Sequence, residues 1–191
     1  MSKLPKEFYT RNNVVQISKD LLGKVLYTKF NGIVTSGIIT ETEAYEGETD
    51  KASHAYGGRR TQRTKVMYSE GGCSYVYLCY GIHYLFNVVT NVKDIPHAVL
   101  IRGIKPLEGI DTILKRRKQN QLSKNLTIGP GKVTQALSID TTFNCLNLQG
   151  DNVWIEDHHI KVNEKDILIS KRIGIDYAQE DALLPYRFEL K

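Results

Sequence analysis

The apolar residues near the start of the chain follow two different periods. Residues 13–22 begin with an asparagine suited to cap a helix and repeat apolar side chains at helical spacing. Residues 24–30 instead alternate as in a strand, and Asn31-Gly32 favours a hairpin because both residues tolerate positive φ. We therefore predict a helix followed by a β-hairpin whose second strand covers residues 33–45.

The second strand of this hairpin carries an unusual mixture of side chains. Because side chains alternate along a strand, Ile39, Glu41, Glu43 and Tyr45 are expected on one face. An apolar residue, two carboxylates and a tyrosine fit neither a plain core nor a plain solvated surface. We interpret this face as the floor of a cleft.

A second hairpin is predicted further along the chain. Residues 73–80 read as a strand, and Gly81-Ile82 suits a type II′ turn because glycine takes the first central position. The returning strand begins at His83. This hairpin is expected to present Tyr80 and His83 at its tip.

The rest of the chain contains scattered strands and helices. Residues 46–65 show no clear periodicity and predict a long loop. A strand is predicted over residues 98–104, a helix over residues 107–119, and another helix beginning at Pro130. The C-terminal segments are interpreted as scaffold. This order favours an α+β domain with a mainly antiparallel sheet over a regular βαβ series.

Composition narrows the class of protein only partly. No apolar run approaches the roughly 20 residues of a membrane helix, and the N-terminal residues lack the apolar stretch of a signal peptide. We therefore expect a cytoplasmic protein with no membrane partner. Lys and Arg exceed Asp and Glu by 26 to 21, which favours an anionic partner such as nucleic acid without requiring one. Three cysteines without a C-x-x-C pair argue against a disulfide framework or a thiolate zinc site.

Glu43 is the first candidate for chemistry. An ionised carboxylate can accept a proton from water and can stabilise the positive charge that develops on a sugar. Hydrolysis of a glycosidic bond needs both a proton acceptor for the water and stabilisation of the positive charge on the sugar. The alternative is that Glu41 and Glu43 form a solvated strand edge.

Aromatic side chains accumulate close to these carboxylates in the sequence. They are Tyr45, His54, Tyr75, Tyr77, Tyr80 and Tyr84. Stacking faces with polar tips suit a pocket for a purine-sized ring, and a positively charged ring gains further from cation–π attraction. The alternative is a tyrosine-rich strand packed on its own sheet. Taken singly, His54, Asn87 and Arg102 also fit buried structural positions.

Basic residues form a further group of candidates. The cluster at residues 115–118 fits a phosphate contact and a solvated helix end equally well. Lys132 lies at a helix start, where free amides can bind a phosphate, although a bare helix start is the commoner explanation.

Separated short motifs follow one another in a fixed order along the chain. They are Glu41-Thr42-Glu43-Ala44-Tyr45, His54 with Gly57-Gly58-Arg59, Tyr75-Val76-Tyr77 leading to Tyr80-Gly81, Asn87, Leu100-Ile101-Arg102, Pro106-Leu107-Glu108-Gly109, and Gly129-Pro130-Gly131-Lys132 with Gln135-Ala136-Leu137. In this order they closely resemble the alkyladenine (3-methyladenine) DNA glycosylases, over nearly the whole chain. The sequence is identified as resembling a bacterial member of that family.

The resemblance implies the fold and roles for individual residues. The family has a single compact α+β domain with a mainly antiparallel, curved β-sheet, flanking helices and a protruding β-hairpin. Glu43 matches the general base, and Arg102 matches a residue near that carboxylate and the substrate backbone. Tyr80 would enter the minor groove and take the place of the extruded nucleotide. The base-pocket residues would be Tyr45, His54, Tyr77 and Asn87.

The resemblance also implies the partner and the reaction. The partner would be double-stranded DNA containing alkylated purines such as 3-methyladenine, and the product an abasic site. No metal and no organic cofactor are expected, and we expect a monofunctional, monomeric enzyme. Secondary candidates for contacts to the DNA backbone are Arg59, Arg63, Gly81 and Lys132.

Three other activities stay open at this point. A metal-dependent nuclease could use Glu41, Glu43 and Asp50. A non-catalytic module could stack its tyrosines on single-stranded nucleic acid. A lyase activity through a lysine is also conceivable, although no particular lysine is indicated. Ile82 and His83 at the hairpin tip depart from the side chains of some relatives, which leaves the damage preference open.

Overall fold

A curved, nine-stranded antiparallel sheet forms the framework of the molecule. The computed structural model describes residues 1–191. The strands are β1 (Ser2–Lys3), β2 (Val25–Phe30), β3 (Ile33–Tyr45), β4 (Ser74–Cys79), β5 (His83–Thr90), β6 (His97–Glu108), β7 (Val153–Asp157), β8 (Ile167–Ser170) and β9 (Arg187–Leu190). Their order is β1-β7-β2-β3-β6-β5-β4, and β9 pairs with both β3 and β8.

Short helices pack around this sheet. They are α1 (Lys6–Tyr9), α2 (Val14–Asp20), α3 (Ile110–Arg116) and α4 (Pro130–Leu137), with 3₁₀ turns at Tyr56–Gly58, Lys65–Tyr68, Thr141–Phe143, Glu164–Asp166 and Asp176–Leu183. The prediction of a single compact α+β domain with a mainly antiparallel sheet is confirmed. None of the helices combines the length and hydrophobicity that crossing a membrane requires.

The first helix and hairpin form where the sequence predicts them. Oδ1 of Asn13 accepts a hydrogen bond of 2.9 Å from the amide of Gln16 and so caps α2. Asn31 and Gly32 connect β2 to β3 with φ values of 49° and 79°. Positive φ at both turn residues matches the twist of the flanking strands.

A β-bulge interrupts β3 and changes the direction of its side chains. Ile39 pairs with Ile104 and Glu41 pairs with Gly103, so Thr40 has no partner between them. One extra residue shifts the alternation of the strand. Ile39 consequently packs in the main hydrophobic core together with Ala44. The predicted common face of Ile39 with the two glutamates is therefore wrong, because the prediction assumed an unbroken period of two.

The second hairpin, β4 and β5, ends in a different turn from the predicted one. The amide of Ile82 donates to the carbonyl of Cys79, and Tyr80 and Gly81 have φ values of 51° and 70°. Two central residues with positive φ are typical of a type I′ turn. The type II′ turn predicted at Gly81-Ile82 is therefore wrong. As a result Tyr80, 88 % exposed, projects into solvent at the tip.

The predicted helix over residues 107–119 begins later and ends earlier than expected. Strand β6 continues to Glu108, which pairs with Ser36 of β3, and Gly109 (φ 69°) then leads into α3. The strand pairing outweighs the helical pattern of this segment. Of the basic cluster that follows, Arg116 and Arg117 donate hydrogen bonds to backbone carbonyls of neighbouring segments. These two arginines therefore hold α3 in place.

The long loop and the C-terminal region meet next to β3. A small core cluster of Val66, Met67 and Tyr68 with residues of β4 to β6 anchors the loop. A second small cluster joins Ala52 of the loop to Ile175 and Ala178. The interpretation of the C-terminal region as scaffold is therefore incomplete, since this segment packs beside Tyr45.

Candidate active site

A cavity of about 980 Å³ opens between the second hairpin, the long loop and the C-terminal segment. Most of the predicted site residues lie on its wall. They are Tyr45, His54, Arg59, Arg63, Tyr77, Tyr80, Asn87, Arg102 and Lys132. A space of this size, with aromatic walls and a few polar groups, suits an organic ligand as large as a nucleoside.

Glu43 lies just behind this wall and has no solvent-exposed surface. Its Oε2 accepts a hydrogen bond of 2.8 Å from the hydroxyl of Tyr45, and its Oε1 accepts one of 2.8 Å from the amide of Ile173. Nε of Arg102 is 3.3 Å from Oε1. All three neighbours line the cavity. The carboxylate is therefore held by the wall residues themselves.

Arginines balance the negative charge of the two glutamates. Nε of Arg102 donates to Oε1 of Glu41 at 2.9 Å, and Nε of Arg187 donates to the same oxygen at 2.6 Å. Arg187 also bonds Glu189 at 2.6 Å. Two arginines thus compensate the charge of Glu41 at its Oε1, whereas Glu43 shares only Arg102 and accepts its other bonds from neutral donors. Glu43 is therefore the less charge-compensated of the two carboxylates.

The burial of Glu43 has an electrostatic consequence. Burial raises the pKa of the Glu43 carboxyl above its ordinary value and outweighs the opposing effects of Arg102, the Ile173 amide and the Tyr45 hydroxyl. Burial and the adjacent charge of Glu43 also raise the pKa of Tyr45, so its hydroxyl stays protonated as a donor. A carboxylate with a raised pKa is a better proton acceptor at neutral pH.

His54 and Tyr77 form the aromatic part of the wall. Their rings meet edge-to-face with centroids 4.7 Å apart, and the guanidinium of Arg63 lies 4.5 Å from the Tyr77 ring. Nδ1 of His54 is 2.9 Å from the hydroxyl of Tyr75. Burial, together with Arg63 and Arg59, lowers the pKa of His54 to about 4. His54 is therefore neutral at physiological pH.

Asn87 is buried at the base of the cavity. Its Nδ2 donates to the carbonyl of Tyr75 at 3.1 Å, so the amide orientation is fixed by the backbone of β4. The hydrogen bonds that Asn87 makes within the protein are both donated by Nδ2, so its side-chain oxygen is left without a protein donor. Asn87 can therefore present a fixed acceptor to a ligand.

The secondary candidates lie at the mouth of the cavity or beyond it. Arg59 and Arg63 are exposed on the loop. Lys132 lines the cavity and donates to the carbonyl of Asn125 at 3.1 Å. Gly81 is not on the cavity wall, and a side chain added there would meet no atom within 4 Å. Their predicted contacts to a nucleic-acid backbone stay predictions.

Several residues of the site carry no recognisable signal in the sequence. Ile173 contributes a backbone amide, which the identity of its side chain cannot reveal. In the sequence Tyr75 is one aromatic residue among many, and nothing there indicates its hydrogen bond to His54. Arg172 and Arg187 lie in segments that resemble ordinary scaffold. Only the spatial arrangement shows that these residues surround Glu43 or its neighbours.

Comparison with known proteins places this site in a family context. The family model described as "Methylpurine-DNA glycosylase (MPG)" matches residues 7–191. A protein of Chlamydia abortus named "Putative 3-methyladenine DNA glycosylase" is 51 % identical over 188 residues, which cover 98 % of this chain and 97 % of the relative. Proteins of the same name from Clostridium novyi and Desulfitobacterium hafniense are 46 % and 44 % identical, each over 100 % of this chain and 96 % of the relative.

Proposed function

Because this chain belongs to the methylpurine-DNA glycosylase family, we propose that it removes alkylated purines, 3-methyladenine among them, from double-stranded DNA. It would hydrolyse the N-glycosidic bond and leave an abasic site. The observation that carries the proposal is a buried carboxylate, Glu43, held by three residues of a nucleoside-sized cavity.

The damaged nucleotide has to leave the duplex to reach this cavity. Extruding it costs a few kcal/mol, and less where alkylation has already weakened base pairing. Tyr80 projects from the hairpin tip and lines the cavity mouth. An aromatic wedge in the minor groove fills the space of the extruded nucleotide and offsets part of the cost. We assign this role to Tyr80.

The aromatic wall explains a preference for alkylated bases. A methylated purine such as 3-methyladenine carries positive charge, which the π faces of Tyr45 and Tyr77 attract. His54 is neutral and so adds no repulsive charge. Asn87 offers a fixed polar group that can discriminate among purine edges. The charge of the alkylated ring would thus contribute more to the choice of substrate base than hydrogen bonding to Asn87.

The reaction itself needs one water molecule and Glu43. Ile173 and Arg102 occupy Oε1, and Tyr45 takes one acceptor position of Oε2, which leaves a second acceptor position on Oε2. Because Glu43 has no solvent-exposed surface, a side chain of the cavity wall would have to move to admit the water to this position. The water oxygen forms a bond to C1′ while the C1′–N9 bond breaks. The electron pair of that bond neutralises the methylated ring, and Glu43 takes the proton of the water.

The geometry does not support the nuclease alternative. Both oxygens of Asp50 are bonded to the guanidinium of Arg172, and Oε1 of Glu41 is bonded to two arginines. Metal ligation by these carboxylates would compete with full-charge partners in a buried setting. Asp50 and Glu41 therefore do not form a joint ligand set with Glu43.

A lyase step would need a neutral lysine amine in the cavity. Lys51 and Lys132 lie on its wall. The ammonium group of Lys51 bonds Gln179 and Glu180, and the bond to Glu180 raises its pKa. A protonated amine cannot attack a sugar aldehyde. We therefore propose a monofunctional enzyme, for which borohydride should trap no covalent complex with DNA.

The decisive test measures free bases released from methylated duplex DNA in the presence of EDTA. The wild-type protein should release 3-methyladenine, and Glu43→Gln should lower the single-turnover rate by about 10³-fold or more. Binding of that variant to a duplex with an abasic-site analogue should persist. Glu70→Gln removes a carboxylate that pairs with Lys6 on the surface and serves as the control.

Each alternative activity would give a different result in the same assay. Strand cleavage that EDTA abolishes would indicate the nuclease. Binding without base release would indicate the non-catalytic module. If Glu43→Gln released purines at the full rate, Glu43 would not be the general base. The protein would nevertheless be a glycosylase.

A further inference from the structure

We propose that Arg172 and Asp50 form a positioning pair that aligns Glu43 for reaction through Tyr45 and the backbone amide of Ile173. The proposal rests on the assignment of Glu43 as the general base. Neither residue lies on the cavity wall, and both are buried, at 3 % exposed each. The pair would therefore act without touching DNA.

Arg172 is fixed by several contacts at once. Its Nη1 and Nη2 bond the two oxygens of Asp50, the latter at 2.8 Å, in a fork geometry. Nη1 also donates to the carbonyl of Ala44 at 2.9 Å, and Nη2 donates to that of Asp181 at 3.1 Å. One guanidinium thus ties together the end of β3, the long loop and the C-terminal segment.

These contacts set the position of both hydrogen-bond donors to Glu43. The carbonyl of Ala44 lies between Glu43 and Tyr45 in the chain, so the bond from Arg172 holds the backbone that carries both side chains. The guanidinium also lies 4.8 Å from the Tyr45 ring centroid. Ile173 follows Arg172 directly, and its amide meets Oε1 of Glu43. Displacing the guanidinium would disturb the donors at both carboxylate oxygens.

The charge of Arg172 acts in the same direction. Burial alone lowers the pKa of Arg172, but the bonds to Asp50, the charge of Asp50 and the charge of Glu43 raise it above its ordinary value. The guanidinium therefore stays charged and favours the ionised form of Glu43. The other titratable groups that act on Glu43 are Glu41, Tyr45, Arg102 and Arg187.

Single-turnover base release as a function of pH distinguishes positioning from simple stabilisation. Arg172→Met should lower the rate at pH 7 roughly ten- to hundredfold, since small misplacements of reacting groups have effects of this size. The acid limb of the profile should move to higher pH, because Glu43 loses a favourable charge. A purely structural loss would reduce the rate equally at every pH.

A conservative variant and a matched control sharpen the experiment. Arg172→Lys keeps the charge, so the acid limb should return toward its wild-type position while the rate stays below that of the wild type. Arg11→Met is the control, because Arg11 also bonds a carboxylate, that of Asp20, and packs on the Phe8 ring. This variant should leave the profile unmoved.

Loss of folding would not leave the question open. If Arg172→Met does not fold, the double variant Asp50→Leu with Arg172→Met removes both buried charges together, a change that proteins often tolerate. It should fold, retain affinity for a duplex with an abasic-site analogue, and show the same slow base release. Its acid limb should stay near the wild-type position, because two opposite charges are lost together.

Two results separate this inference from the proposed function. A wild-type rate and acid limb in folded Arg172→Met, or a wild-type rate in the double variant, would overturn the positioning role, with glycosylase activity intact. Full activity of Glu43→Gln, measured in parallel, would instead overturn the assignment of the base.

Discussion

The hydroxyl of Tyr45 donates a hydrogen bond of 2.8 Å to Oε2 of Glu43, two residues earlier on β3. Side chains two positions apart on a strand share a face, so this bond is local. The second neutral donor, the amide of Ile173, comes from a segment 130 residues away. One carboxylate is therefore fixed by a near and a distant part of the chain, and each can be tested separately.

Replacing Tyr45 by Phe should leave the Glu43 carboxylate less well positioned without changing the aromatic wall. The lost bond normally lowers the pKa of Glu43, so that pKa should rise and the acid limb of base release should move to higher pH. The rate at pH 7 should fall about tenfold, as expected for a bond to a charged group. Tyr27→Phe, which removes a hydroxyl bonded to His158, is the control in the same pH series.

His54 should make the protein less stable in mild acid. Its folded pKa of about 4 lies below the unfolded value of 6.5, so the unfolded state binds more protons between these values. Its contribution to the free energy of unfolding is then complete above pH 6.5 and falls by up to about 2 kcal/mol by pH 5.

Urea unfolding of the wild type and of His54→Gln at both pH values measures this contribution. The effects of the other titratable groups cancel in the difference between the two free energies of unfolding. The stability gap between the two proteins should shrink as the pH falls. His159→Gln, which changes an exposed histidine, is the control in the same series. A gap that is constant or widens toward pH 5 would contradict the depressed pKa.

Replacing Tyr80 by Gly should separate function from stability. The side chain is exposed, and a φ of 51° suits glycine better than tyrosine, so the melting temperature should not fall. Base release from duplex DNA should drop by about 10²-fold, because the cost of extruding the nucleotide is no longer offset. Asn31→Gly alters the other hairpin at a similar φ and should leave activity unchanged. Undiminished activity of Tyr80→Gly on duplex DNA would show that Tyr80 does not fill the space of the extruded nucleotide.

Arg102 should matter for both folding and reaction. Arg102→Met leaves Glu43 without an ion-pair partner and Glu41 with Arg187 alone. Removing one partner of a buried ion pair costs about 3–5 kcal/mol in the free energy of unfolding. Without Arg102 the pKa of Glu43 should also rise, so the acid limb of base release should move to higher pH.

Denaturant unfolding and single-turnover kinetics measure both effects of the Arg102 variant. Arg60→Met breaks an exposed pair with Asp94 and should cost at most about 1 kcal/mol. If the two variants proved equally stable, the network around Glu41 would contribute little to folding.

The outline of the fold was predictable where local rules apply. The Asn13 cap, the Asn31-Gly32 hairpin and the start of α4 at Pro130 depend on residues close in the chain. The same rules failed at the bulge of β3 and at residues 107–108. At both places pairing between β3 and β6 determined the backbone, and no residue near them in sequence records that pairing.

The candidate site divides in a similar way. The order of the motifs indicated six candidate residues, and the structure gathers them around one cavity. They are Glu43, Tyr45, His54, Tyr77, Asn87 and Arg102. Their hydrogen-bond partners were not foreseen. Partners are chosen by packing, and a residue such as Ile173 acts through a backbone group that all residues but proline share.

The sequence by itself determined the types of side chain, the Asn13 cap and the Asn31-Gly32 turn, and a resemblance specific enough to name a family. Tertiary structure alone decided that Glu41 pairs with two arginines while Glu43 pairs with only one, and that the guanidinium of Arg172 packs on the Tyr45 ring. The physical reason is that burial and charge pairing depend on distances in space. Segments more than a hundred residues apart must meet before those energies exist.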